Sequence, residues 1–90
     1  MKIRTVIKRL EKENKNLICV GRFWFNILPI KELKIENGIN VITGNKFASN
    51  KDAITVADAI KVLNLFNPKL EWASLRQIKV NENFCCFCFD

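Results

Sequence analysis

Leu17-Ile18-Cys19-Val20-Gly21-Arg22-Phe23-Trp24-Phe25-Asn26-Ile27 is the stretch on which the fold turns. Its side chains alternate with a period of two. Leu17, Cys19, Gly21, Phe23, Phe25 and Ile27 share one face, and Ile18, Val20, Arg22, Trp24 and Asn26 share the other. Apolar residues on both faces predict a central strand, with the main core against the first face and partial cover on the second. Pro29, which has no amide donor, is expected to interrupt the ladder.

Upstream, Ile3, Val6, Ile7 and Leu10 recur at helical spacing and predict an amphipathic helix over 3–15, supported by the pairs Arg9/Glu13 and Glu11/Lys15 and ended at Asn14 to Asn16. Downstream, Ile30 to Glu36 and Ile39 to Thr43 flank Asn37-Gly38. A two-residue turn would set Lys34 opposite Val41. A three-residue loop of Glu36, Asn37 and Gly38 instead opposes Ile35 to Ile39 and Leu33 to Val41, so the apolar pattern selects the longer loop and places Lys34, Glu36 and Asn40 outside. Gly44 to Lys51 reads as a basic loop carrying Phe47.

Thr55-Val56-Ala57-Asp58 fits a capping box with Asp in place of Glu. It opens a helix over 55–66 with the stripe Val56, Ala59, Ile60, Leu63 and Phe66, closed by Asn67-Pro68. Residues 68–76 read as a short helix or a turn. Ile78 to Phe89 alternates again, as a terminal strand or a hairpin bent at Asn81 to Asn83. The sum is one small globular α+β domain over 1–90, in the order α-β-β-β-α-(short helix or turn)-β. Two principal helices cover one face of a mostly antiparallel sheet of three to four strands. Edge pairing through the terminal strand offers a route to a homodimer.

The chain has no His, no Tyr and three Asp among its 90 residues, which removes most of the equipment for acid-base chemistry near neutral pH. No catalytic residue is assigned. Ser49 and Ser74 have no His to activate them, and a thiolate here would depend on Arg76 or Lys79 being brought near by the fold. Gly44-Asn45-Lys46 lacks the glycine density of a phosphate-binding loop. Four cysteines, Cys19, Cys85, Cys86 and Cys88, lack the knuckle spacing of a zinc centre, because Cys85 and Cys86 point to opposite faces of a strand. They read as free, largely apolar core thiols, with Cys86 or Cys88 able to meet Cys19 across a sheet. No metal and no cofactor are expected.

Met1 is not followed by an apolar segment long enough for export, which points to the reducing cytoplasm. No apolar run approaches the ~20 residues that cross a bilayer, so no membrane role is expected. The net charge of +6 is uneven: residues 1–45 hold nine Lys or Arg against four Glu, and residues 46–90 hold six against five acids. Such a surface favours an acidic protein or nucleic acid.

The leading expectation is therefore a protein-interaction module that engages a larger, acidic protein. Arg22 and Trp24 would be its anchors, Phe47 and Trp72 further apolar contacts, and Lys34 and Lys46 to Lys51 the charged rim. The alternative is a small nucleic-acid binder using Lys2, Arg4, Lys8, Arg9, Lys12 and Lys15 around the first helix, with Arg22 and Trp24 for stacking. Thr55 to Leu63 with its Asn67-Pro68 exit resembles the capped helix and proline exit of small phage-encoded proteins. That resemblance implies a phage or mobile-element accessory protein that inhibits a host defence or nucleic-acid-handling protein.

Overall fold

A computed structural model of the chain describes residues 1–35, 39–44, 50–65 and 75–89. They form helix α1 (Ile3–Glu11), strands β1 (Ile18–Phe23), β2 (Asn26–Ile35) and β3 (Ile39–Thr43), a 3₁₀ turn (Asn50–Asp52), helix α2 (Val56–Asn64), and strands β4 (Gln77–Val80) and β5 (Phe84–Cys88). The architecture is α+β, but the sheet has five strands, in the order β3-β2-β1-β5-β4. It is mixed, because β1 and β5 run parallel at its centre while the other pairs are antiparallel.

The expected strand over 17–27 is two strands. β1 ends at Phe23, the chain reverses through Trp24 and Phe25, and β2 returns from Asn26 with Phe23 opposite Asn26 and Arg22 opposite Ile27. Pro29 accordingly sits inside β2, opposite Val20, rather than breaking the ladder. Its carbonyl accepts from the Gly44 amide at 3.0 Å, just past the end of β3. The N–H that proline lacks would point the same way, away from β1, so the β1–β2 ladder loses no bond.

Beyond Pro29, β1 and β2 diverge, and Ile54 fills the gap. Cys19 N donates to Ile54 O at 2.8 Å, and Ile54 N donates to Ile30 O at 2.8 Å. A bulge at Lys31 and Glu32 re-aims β2 onto β3, where Leu33 opposes Val41 and Ile35 opposes Ile39, the register that the apolar pattern selects. The loop residues 36–38 themselves lie outside the described residues.

The last segment is a hairpin and not one strand. Asn81 Oδ1 accepts from the amides of Asn83 (2.7 Å) and Phe84 (2.9 Å), closing a turn between β4 and β5. The turn shifts the alternation by one. Ile78 on β4 and Cys85 and Phe87 on β5 therefore share the core, whereas a straight strand would set them on opposite faces. β5 lies between β1 and β4, so within the expected terminal segment it is β4, and not β5, that forms an edge of the sheet.

α1 ends at Glu11 instead of Lys15, with Lys12 as its C-cap. Lys15 does not pair with Glu11 but turns its Nζ back onto the helix end, donating to the carbonyls of Glu11, Glu13 (2.9 Å) and Leu10 (3.4 Å). The Arg9–Glu13 ion pair forms as expected. α2 starts on the expected capping box and ends at Asn64. Ile3, Val6 and Leu10 of α1 and Val56, Ala59 and Leu63 of α2 are buried together against Cys19, Ile30, Cys85 and Phe87, so both helices cover one face of the sheet. The readings for residues 45–49 and 66–74, the Asn67-Pro68 exit of α2 among them, fall outside the described residues. Among the described residues, no helix is long and apolar enough to cross a membrane.

Candidate interaction surface

The helix-free outer face of the sheet and the β1–β2 turn carry the candidate site. Trp24 has φ 58, in the left-handed region, and is the described non-glycine residue with positive φ. A two-residue turn with φ > 0 at its first central position has the form of type II′, where glycine is normally preferred because a Cβ crowds the backbone. Trp24 is nevertheless 75 % exposed, its neighbour Phe25 97 % and Ile27, one rung back, 52 %. Two large aromatic side chains thus stand in solvent at the tip of a hairpin.

The base of that hairpin is held firmly. Phe23 turns to the helix side and stacks on Phe89, with ring centroids 5.1 Å apart and planes within 4°. Phe89 N donates to Arg22 O at 3.2 Å, tying the chain beyond β5 to the end of β1. Behind the tip, Val20, Pro29, Cys86 and Cys88 are buried on the outer face, bordered by half-buried Ile18, Phe84 and Arg22. Exposed Lys31, Lys34 and Lys79 lie on the same face, with Glu32 as the acid among these outer-face strand residues.

Arg22 and Trp24 are brought to one end of one hairpin, although Trp24 belongs to the turn and not to the strand face of Arg22. Lys34 lies at the far end of β2, roughly 26 Å along the strand from Asn26 at about 3.3 Å per residue. It therefore cannot rim the Arg22/Trp24 end. Lys51 is exposed in the 3₁₀ turn. Lys46, Phe47 and Trp72 lie outside the described residues, as do Ser49 and Ser74.

Of the nucleic-acid candidates, Lys2, Arg4, Lys8 and Lys12 are exposed around α1, Arg9 is paired with Glu13, and Lys15 caps the helix end. α1 sits on the inner side of the sheet and Arg22 on the outer side, so the expected union of helix cations with Arg22 and Trp24 does not occur. A cleft of about 480 Å³ opens between the end of α1 and the β4–β5 turn, lined by Arg9, Glu13, Leu17 and Glu82 among others. It holds no thiol or hydroxyl side chain.

The four thiols divide between the faces. Cys19 meets Cys85 on the inner face, in register across the parallel pair, and neither Cys86 nor Cys88. The hydrogen bond with Cys85, reinforced by burial, pushes the Cys19 thiol far up. Cys86 and Cys88 share the outer face with Sγ atoms 3.9 Å apart. Burial, with a smaller contribution from Cys88, pushes Cys86 up to about 12, while Arg22 acts in the opposite sense. No group of three or more His, Cys, Asp or Glu side chains gathers as a metal centre among the described residues.

Phe25 and Ile27 are surface residues that the alternating pattern assigns to the core face. The local signal for the turn is weak, because Trp24 and Phe25 are not turn formers. Compared with known proteins, the chain matches no family, no curated protein and no solved structure.

Proposed function

We propose that the chain is a non-enzymatic protein-interaction module. It seats the Trp24–Phe25 tip in an apolar pocket of a larger, acidic protein and blocks or modulates that partner. One observation carries this reading: a bulky aromatic is held at φ 58 and left in solvent. Left-handed backbone costs a non-glycine residue roughly 1–2 kcal/mol, and such strain concentrates at ligand contacts. Trp24 returns nothing to the chain's own core, so a partner's pocket is where the cost would be recovered. Aromatic anchors flanked by Arg are the usual dominant residues of protein interfaces. The cations Arg22, Lys31 and Lys79 supply complementarity to an acidic rim. The resemblance of residues 55–68 to phage-encoded proteins supports a host defence or nucleic-acid-handling protein as the target.

The test is affinity capture from nuclease-treated host lysate. A protein retained by the wild type and by Lys8→Glu/Lys12→Glu, but lost from Trp24→Ala/Phe25→Ala, is the expected outcome. Capture that ignores the hairpin substitution overturns the reading. A second reading rests on Arg4, Lys8 and Lys12, four residues apart along the solvent side of α1. They form a cationic edge for phosphates, and salt-dependent binding of generic DNA or RNA, lost on reversing Lys8 and Lys12, would favour it.

A further inference from the structure

β4 is an edge of the sheet, and its residues divide by the direction of their backbone groups. Asn81 N donates to Phe84 O at 3.1 Å, which makes Asn81 and Phe84 a hydrogen-bonded pair. Bonded and non-bonded pairs alternate along an antiparallel ladder. Lys79 with Cys86 and Gln77 with Cys88 are therefore bonded pairs, whereas the N–H and C=O groups of Ile78 and Val80 point away from β5. Among the described residues, no strand pairs with that side of β4. Such a row of donors and acceptors is a template for one more strand.

The side chains select the strand. Ile78 is buried in the inner core and Val80 is half-buried against it, so a residue set opposite either one continues the apolar inner face. Lys79, between them, is exposed on the outer face and has no carboxylate partner among the described residues. In an added antiparallel strand the residue opposite Lys79 falls in the closer, non-bonded kind of pair, where an acid is favoured and a cation is not. The same rule selects against a second copy. A two-fold register that pairs Ile78 with the other copy's Val80 sets the two Lys79 side chains directly opposite one another, on chains that each carry a net charge of +6. Exposed Arg76 extends the cationic edge at one end, and Glu82 in the β4–β5 turn bounds it at the other.

We infer that the β4 edge takes an extended acidic segment of a partner protein by strand addition, with an apolar-acid-apolar pattern opposite Val80, Lys79 and Ile78. The backbone groups of Ile78 and Val80 supply the affinity, and the acid opposite Lys79 supplies the selection. This surface goes beyond the hairpin reading, because β5 separates β4 from β1.

The experiment titrates the full chain with the end-capped peptide Thr-Thr-Val-Glu-Val-Thr-Thr and follows the backbone amides by NMR. In the free chain the amides of Gln77 and Lys79 should exchange slowly with solvent and those of Ile78 and Val80 quickly. The peptide should shift and slow the Ile78 and Val80 amides, and Lys in place of its Glu should weaken binding about fivefold. Val80→Pro removes an outward N–H, spares the bonds to β5 and should also cost about fivefold, with slow Gln77 and Lys79 amides as the check on folding. Should that variant fail to fold, Lys79→Glu replaces it and should prefer the Lys peptide. Slow Ile78 and Val80 amides in the free chain at every concentration would mean that the edge is already covered, and slowing that grows with protein concentration would make the occupant a second copy. Either result overturns the proposal, as does equal binding of the two peptides or no response at Ile78 and Val80 to the acidic one.

Discussion

Phe23 lies across Gly21: a Cβ on the glycine would sit 2.8 Å from Phe23 Cε2 and 3.3 Å from Cζ. The same ring stacks in parallel on Phe89, so a retreat from an added Cβ would disturb that stack. The glycine is thus a requirement of close approach, and it lets the inner aromatic pair hold the hairpin whose outer tip carries Trp24. Gly21→Ala should destabilise the chain by about 1–2 kcal/mol, the range for overpacking in a fitted site. In a Phe23→Ala background the same substitution should cost close to nothing. A urea-denaturation cycle over the four variants measures this coupling, and an unchanged cost in the Phe23→Ala background would refute it.

Trp24 sets stability against binding. Glycine adopts φ 58 freely, so Trp24→Gly relieves left-handed strain, although it also frees the unfolded chain. We expect a net gain of about 1 kcal/mol, because Trp24 contributes no buried contact to offset. Partner capture should be abolished by the same change. Trp24→Ala keeps the strain and should lose the partner without the gain. Thermal denaturation of both variants beside the capture assay separates the two effects, and a loss of stability in Trp24→Gly would show that the side chain serves the fold instead.

The parts of this fold that were legible are those decided by neighbours in sequence. The Leu33–Val41 and Ile35–Ile39 register follows from which residues must share a face across a short loop. The helix opening at Thr55 follows from side-chain reach over one turn. What stayed hidden depends on distant partners. Nothing in residues 17–27 says that the chain must reverse at Trp24, since the turn lacks Gly, Pro or an Asn-Gly pair and is imposed by β2 docking on β1. Nothing in residues 84–88 says that they run parallel to residues 18–22, a pairing set by tertiary packing under α1 and α2. Arg22 and Trp24 were legible as a candidate surface because they share the phase of the partly covered face, whereas Phe25 and Ile27 were not, being in phase with the core face until the reversal moved them.

α2 depends on its first turn. Thr55 Oγ1 accepts from Asp58 N at 3.3 Å, and Thr55 N donates to Asp58 Oδ2 at 3.0 Å, which satisfies two amides that the helix itself cannot. Thr55→Ala and Asp58→Ala should each cost about 1 kcal/mol, while Thr55→Ser should be close to neutral. The midpoint of urea unfolding should move and its slope should not. Equal stability of Thr55→Ala and the wild type would remove the cap from the account of this helix.

The outer-face thiol gives the protein a pH dependence of definite sign. Burial raises Cys86 from the ordinary 9.0 to about 12. Between those values the unfolded chain has released this proton and the folded chain still holds it, so the folded state binds more protons and its stability falls as pH rises. Below pH 9.0 the contribution is present in full, and it declines from there until the folded thiol itself ionises near 12. The same shift protects Cys86 from alkylation. At pH 8 the folded state holds about a thousandfold less thiolate at this position than the unfolded chain, and the thiolate is the reacting species. Iodoacetamide labelling mapped by mass spectrometry should therefore leave Cys86 unmodified in buffer at pH 8 and modify it in urea, and urea midpoints should fall between pH 9 and pH 11. Native labelling as fast as in urea would mean that Cys86 is neither buried nor raised, and would remove the thermodynamic basis for this alkaline instability.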